Sequence, residues 1–519
     1  MFVGTEFTMS QNTEMGISGK IRLVVVAAAV LMQLALIILL VYFLRYRAIY
    51  AYIIIQFIAL VDIVFLAGRK NNRSFIIAWL IVISVLPVFG HILYLMWGRC
   101  PSNDYRSRRM NASIARGMGF LEREPAVYSD FQKIHPGRKR FAGYLGRQNF
   151  PLYTNTKCDY YPLGELQFDA MFKDMEKAKK FIFMEYFILS SGSLWNSFEE
   201  LLIHKAKEGV EVRLMFDDLG SISRVPKNLV KKLGSHGILV QRFNPVLRHL
   251  SQLHINYRNH QKIAVIDGNV AYTGGTNMAD EYANLYVKYG HWKDTAIRLE
   301  GDAVWSLTVS FIQMWDSESK EASFYDKYKS EYGCEAQGFF QPFSDGPANN
   351  PVNPAEVIYR KIINSARDYV YIMTPYLVID NNMMDALCSA SMGGTDVRII
   401  TPKIFDQWYV HKVTRSNYEE LLRAGVRIYE YTPGFIHAKT IISDDDHAVT
   451  GTINMDYRSF YMHYENGVWI CGAPVLEEIK KDMIDTMAVC EEMELEKWVN
   501  RPFYIKALQT VMRLFAVLF

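Results

Sequence analysis

Two stretches of the sequence carry the same polar frame at the same offsets. The first, NHQKIAVIDGNVAYTGGTN, holds His260, Lys262, Asp267, Gly274, Gly275 and Asn277; the second, IHAKTIISDDDHAVTGTIN, holds His437, Lys439, Asp444, Gly451, Thr452 and Asn454. A single His-x-Lys pair arises idly in many chains, but the recurrence of a whole frame does not. On a strand, residues two apart share a face, so the spacing predicts an imidazole beside an ammonium in each copy. Phosphoryl transfer from a diester fits this set: one imidazole attacks phosphorus while the other, on the opposite side, protonates the leaving alkoxide. Lys262, Lys439, Asn277 and Asn454 are the candidates to hold the non-bridging oxygens. No carboxylate cluster with metal spacing accompanies them, so neither a metal nor a cofactor is expected. Asp267 and Asp444 complete the catalytic frames, although an acid followed by Gly or Asp after an apolar run usually closes a turn. An attacking imidazole also needs its second nitrogen held by an acceptor; Asp294 in DTAIRLE and Glu465 in ENGVWI, both expected on strands, are the candidate orienting acids.

The elements that must position these residues also come twice. FIFMEYFIL (Phe181 to Leu189), VEVRLMFDD (Val210 to Asp218) and GILVQRFNP (Gly237 to Pro245) read as strands around the helical stretch Ser193 to Gly209. YVYIMTPYL (Tyr369 to Leu377), TDVRIITP (Thr395 to Pro402) and GVRIYEYTP (Gly425 to Pro433) follow in the same order. Two copies of one α/β unit, residues 151–343 and 355–500, are the economical account, with the Pro- and Asn-rich residues 344–354 as linker. At 519 residues, 50% hydrophobic and 21% charged, the chain is neither disordered nor a coiled coil, and a net charge of +3 is too mild to argue for nucleic acid. Six scattered cysteines without a CxxC pair exclude a disulfide framework and a zinc ribbon.

Before the repeat, after a tail of residues 1–22, residues 23–97 hold three apolar segments, Leu23 to Leu44, Ala48 to Ala67 and Ser74 to Trp97, expected to form a membrane anchor of two or three helices. Pro87 and Gly90 predict a kink in the third, and Asp62 is a costly carboxyl in the second. Arg99, Arg106, Arg108, Arg109 and Arg116 open a basic connector, residues 98–150, and favour a cytoplasmic catalytic part. Residues 501–519 form an apolar tail expected as a helix at the interface or on the core.

The paired HxKx4Dx6Gx2N frames resemble the phospholipase D superfamily, in which two such motifs build one site between two similar lobes. NYRNHQKIAVIDG, GHWKDTAIRLEG, GVRIYEYTPGFIHAKT and NMDYRSF are similar to bacterial cardiolipin synthases, as is AWLIVISVLPVFGHILYLMWGR before them. The resemblance covers about residues 75–519. It implies movement of a phosphatidyl group from one phosphatidylglycerol to a second through a phosphohistidine, with His260 as nucleophile and His437 as general acid, in a multi-pass protein of the bacterial cell membrane. It leaves the oligomeric state open. Thr452 stands where the superfamily usually has Ser, which keeps the hydroxyl. Hydrolysis by a phospholipase D-type enzyme is the main alternative, because water can also accept the phosphoryl group. A membrane scaffold with a dead site is the other, and complete frames in both halves argue against it.

Overall fold

The computed structural model describes residues 28, 31–36, 38–39, 42, 48–68, 73–98, 105–245, 257–330, 334–347, 352–514 and 516. In the first half the strands are β1 (Thr156–Tyr161), β2 (Phe181–Tyr186), β3 (Glu211–Asp217), β4 (Leu239–Phe243), β5 (Arg258–Asn259), β6 (Ile263–Ile266), β7 (Val270–Gly274), β8 (His291–Lys293) and β9 (Ala296–Gly301). The second half continues with β10 (Phe339–Asp345), β11 (Tyr369–Met373), β12 (Leu377–Val378), β13 (Asp396–Pro402), β14 (Arg427–Tyr431), β15 (Gly434–Ile436), β16 (Thr440–Ser443), β17 (His447–Gly451), β18 (Met455–Asp456), β19 (His463–Cys471) and β20 (Cys490–Glu492). The first sheet runs β1-β9-β7-β6-β2-β3-β4 and the second β10-β19-β17-β16-β11-β13-β14-β20. Apart from the added β20 these are one order, strand for strand, so the repeat is an α/β fold built twice. In each sheet the interior strands β2 and β11, apolar but for Glu185, are wholly buried, as expected of strands covered on both faces.

The two sheets share one core. Phe183, Val265 and Ile297 of the first cluster with Tyr371, Ile442 and Val468 of the second. Between them runs the helix Val304–Glu318, buried from Val304 to Ser317; its polar stripe can be enclosed because Ser306, Ser310 and Gln313 are bonded to Tyr153, Gln261 and the Ile114 carbonyl. Short strands then cross between the halves: β5 pairs parallel with β19, and β8 pairs parallel with β15.

The connector is part of this body. Its helix Tyr105–Met118 lies on Val304–Glu318, with Ser113 donating to the Gln313 carbonyl at 2.7 Å and Arg106 bonded to Glu318 at 2.8 Å. Farther on, Phe131, Phe141 and Leu145 pack around Trp469 of the second sheet, and Arg138 bonds Asp444 and Asp446 at 3.0 and 2.9 Å. The two ends of the expected linker belong to the flanking elements, since Ser344 and Asp345 end β10 and Pro354 opens the helix Pro354–Ser365; residues 348–351 lie outside the described residues.

Among the described residues no helix is long and apolar enough to cross a membrane, so they do not confirm the expected anchor of two or three spans. The segment Leu23 to Leu44 lies mostly outside the described residues. Ala48–Ala67 is one continuous helix that carries the polar residues Gln56 and Asp62, and the Asp62 carboxylate meets His91. The third segment breaks at Leu86, ahead of Pro87, into the helices Arg73–Val85 and Pro87–Leu93. Gly90 permits the fold-back, since a Cβ there would stand 2.5 Å from the Val82 carbonyl oxygen. The tail forms the helix Phe503–Leu514, and Met512 packs with Ala78, Val378, Val410 and Tyr457.

Candidate active site

Each His-x-Lys segment sits in a break between two strands, which corrects the strand placement read from the sequence. His260 to Lys262 join β5, paired with the other half, to β6, paired within its own sheet. His437 to Lys439 likewise join β15 to β16. The backbone must change sheets there, and the histidine amides complete the crossing: His260 N donates to the Tyr464 carbonyl at 2.9 Å and His437 N to the Lys293 carbonyl at 2.7 Å.

The crossing exchanges the acids. His260 Nδ1 lies 2.9 Å from Glu465 of the second half, and His437 Nδ1 lies 2.6 Å from Asp294 of the first. A carboxylate only accepts, so each Nδ1 carries the proton and each Nε2 is left with its lone pair. Both acids are fully buried and both histidines nearly so. Glu465 lies within β19, whereas Asp294 stands between β8 and β9 rather than on a strand. Thr452 donates to Glu465 Oε2. Its counterpart, Gly275, leaves room for the other acid, because a Cβ there would fall 2.0 Å from Asp294 Oδ1. Gly275→Ala is therefore expected to push Asp294 off His437 and to cut kcat by about 10²-fold, the usual cost of displacing a catalytic group by an ångström. Steady-state kinetics on folded protein would check it, and loss of less than threefold would show that the acid has slack.

The lysines are buried beside the histidines. Lys262 Nζ donates to its own His260 carbonyl at 2.6 Å, and Lys439 Nζ to that of His437. Burial pushes Lys439 down to about 8, opposed by Asp294 and Glu465, and pushes Lys262 well below its ordinary value. The same burial, then the lysine charges, hold His260 well below the usual imidazole range; burial and Lys439 bring His437 to about 4 against the pull of Asp294. A neutral His260 has a lone pair to attack with, and two desolvated ammonium groups attract a phosphodiester anion strongly. The kcat/KM profile should accordingly show no fall through pH 6.5 on the acid side, and a rise in KM above about pH 8 as Lys439 loses its charge. An acid limb at the ordinary imidazole value would mean that the attacking group is solvated.

The other sequence candidates fall into different places. Asp267 accepts from the backbone N–H groups of Lys179, Lys180 and Phe181 at 2.7–2.9 Å, and Asp444 from those of Arg367, Asp368 and Tyr369 at 3.0–3.2 Å as well as from Arg138. With φ of 52° and 55° both close left-handed turns beyond β6 and β16; they brace the frame and do not face the imidazoles, which revises their place in the catalytic set. Asn277 is spent on protein, accepting from Ile188 N and donating to Tyr282 Oη, both at 2.9 Å. Asn454 is buried with its Oδ1 unbonded. The sequence reading missed the aromatic lining, Phe187 at 5.0 Å from the His260 ring and Tyr282 and Trp292 at 5.5 Å from that of His437. It also missed Glu185, held by Asn259 and pushed up to about 8 by burial, and His463, whose ring lies 5.5 Å from that of His260.

The chain is similar to known proteins over most of its length. The family model described as "Cardiolipin synthase, PLD-like domain" matches residues 171–291 and 359–487, and that of a phospholipase D-nuclease N-terminal region matches residues 54–99. A cardiolipin synthase of Oceanobacillus iheyensis is 33% identical over 463 residues, covering 88% of this chain and 95% of that protein. Cardiolipin synthase 2 of Bacillus anthracis is 33% identical over 467 residues, 88% of either chain. The crystal structure of a phosphatidylserine synthase of Haemophilus influenzae shares the fold, with a TM-score of 0.57 at 13% identity over 73% of this chain and 97% of that one. Two matched domains and relatives of this identity over nearly their full lengths place the chain in the cardiolipin synthase family of the phospholipase D superfamily.

Proposed function

We propose that the chain is a phosphatidyltransferase that makes cardiolipin and glycerol from two molecules of phosphatidylglycerol. The observation that carries the reading is the crossed pairing of His260 with Glu465 and His437 with Asp294, which leaves two buried Nε2 atoms to serve one phosphorus. In the first step His260 Nε2 forms the N–P bond as the P–O bond to glycerol breaks, and His437 gives its Nε2 proton to the leaving alkoxide. The bound phosphodiester anion offsets the lysine charges that otherwise keep His437 neutral, and Asp294 stabilises the imidazolium. In the second step the hydroxyl of another phosphatidylglycerol passes its proton to His437 and attacks phosphorus, and the N–P bond breaks. Lys262 and Lys439 hold the non-bridging oxygens throughout.

A lipid substrate suits the apolar surfaces beside the site. Ile53, Ile54, Phe57, Val64 and Phe65 of Ala48–Ala67 are exposed, as are Phe503, Tyr504 and Val511 of the last helix. Phe75 and Ala78 connect the helix Arg73–Val85 to Val378 and Tyr376, and Tyr376 packs into the cluster that contains Tyr282 and Trp292. We place these faces in the bilayer, with residues 23–97 as a multi-pass anchor and the catalytic part on the cytoplasmic side. Incubating detergent-purified protein with phosphatidylglycerol carrying labelled headgroup glycerol tests the function. Cardiolipin and free glycerol in equal amounts are expected. Phosphatidic acid as the main product would make the enzyme a hydrolase.

A further inference from the structure

His463 stands out among the buried groups that the reaction does not use. It is 8% exposed, and neither ring nitrogen makes a hydrogen bond. A buried imidazole with both nitrogens idle forfeits about 1–3 kcal/mol of solvation, unless something else takes its place. The group facing it is Glu465, whose Oε1 lies 3.7 Å from His463 Nδ1 and 2.9 Å from His260 Nδ1. One ligand atom from each of His260, His463 and Glu465 thus falls within 4.8 Å of the other two. The two rings are 5.5 Å apart and tilted by 36°. Two imidazole nitrogens and one carboxylate oxygen are a ligand set that zinc-class cations take, with ligand bonds of about 2.0–2.2 Å and a fourth position left open.

We propose that His260, His463 and Glu465 form a site for a zinc-class divalent cation that silences the enzyme when filled. The proposal rests on reading His260 as the attacking imidazole. Attack needs the proton on Nδ1, held by Glu465, and the lone pair on Nε2. A cation on Nδ1 takes the lone pair there and sends the single ring proton to Nε2, so the ring stays neutral and the nucleophile is lost. Glu465 is drawn to the metal in the same step and no longer orients the ring. His463 enters with ring nitrogens that no hydrogen bond occupies. Lys262 and Lys439 repel the incoming charge, which makes the binding reversible and keeps it weaker than in a structural zinc site.

The test uses the full-length protein in detergent, dialysed free of metal and titrated with zinc chloride, with zinc counted per chain after gel filtration in the absence of lipid. Cobalt chloride supplies a second readout through the intense visible bands of a tetrahedral site. Wild-type protein should bind one zinc and lose turnover in proportion. His463→Asn, compared with the exposed control His204→Asn, should raise the zinc concentration for half-inhibition by about tenfold or more, each variant being referred to its own metal-free rate. His463→Gln and the thermal melt of both variants guard against misfolding. Zinc bound equally by wild type and folded His463→Asn, or no stoichiometric zinc in the wild type, would overturn the site. Turnover surviving in His260→Ala would instead overturn the catalytic reading, which the zinc count does not depend on.

Discussion

His260→Ala and His437→Ala are each expected to lower turnover of phosphatidylglycerol by at least about 10³-fold, because each removes a group that has no substitute in the buried site. The two losses should differ in kind. Without His260 no N–P bond can form, so no phosphorylated peptide should be trapped by rapid acid quenching. Without His437 the nucleophile remains and only the proton for the alkoxide is missing. A phosphatidyl ester with a nitrophenol leaving group, which departs without a proton, should restore the first step in His437→Ala and fail to do so in His260→Ala. Rescue of the opposite variant would exchange the two roles, and near wild-type turnover by either would end the two-histidine mechanism.

Asp294→Asn and Glu465→Gln should each reduce kcat by about 10³–10⁴-fold, nearly as much as losing the histidine, although neither acid touches phosphorus. The amide can present its NH₂ to Nδ1, which leaves the ring proton on Nε2, the wrong tautomer for attack. Because the pairs are crossed, Asp294→Asn disables the histidine of the other half. In the double variants Asp294→Asn/His437→Ala and Glu465→Gln/His260→Ala the second change should add almost nothing, as expected of groups acting as a unit. Independent, multiplying losses in those pairs would mean that the acids serve stability rather than the imidazoles. Melting temperatures measured alongside would show whether the fold survives the change.

The repeat, the two frames and the α/β class were legible because they are local. Strand and helix periodicities are written within ten or fifteen residues, and recurrence at equal offsets needs no knowledge of contacts. The kink at Pro87 was legible for the same reason, since proline constrains its own neighbour. What the sequence could not determine was which acid serves which histidine. His260 and Glu465 are 205 residues apart, as His437 and Asp294 are 143, and they meet because β5 pairs with β19 and β8 with β15 across the shared core. The same crossings pulled the His-x-Lys segments out of their strands. His463 had a faint local signal, standing two residues before Glu465 and therefore on the same face of β19. Nothing local said that His260 would come to face it. The sequence by itself thus determined the chemistry of the residues and the unit that carries them, through short-range periodicity. The tertiary structure alone decided their partners, because pairing between distant strand edges depends on how two buried sheets close on one core.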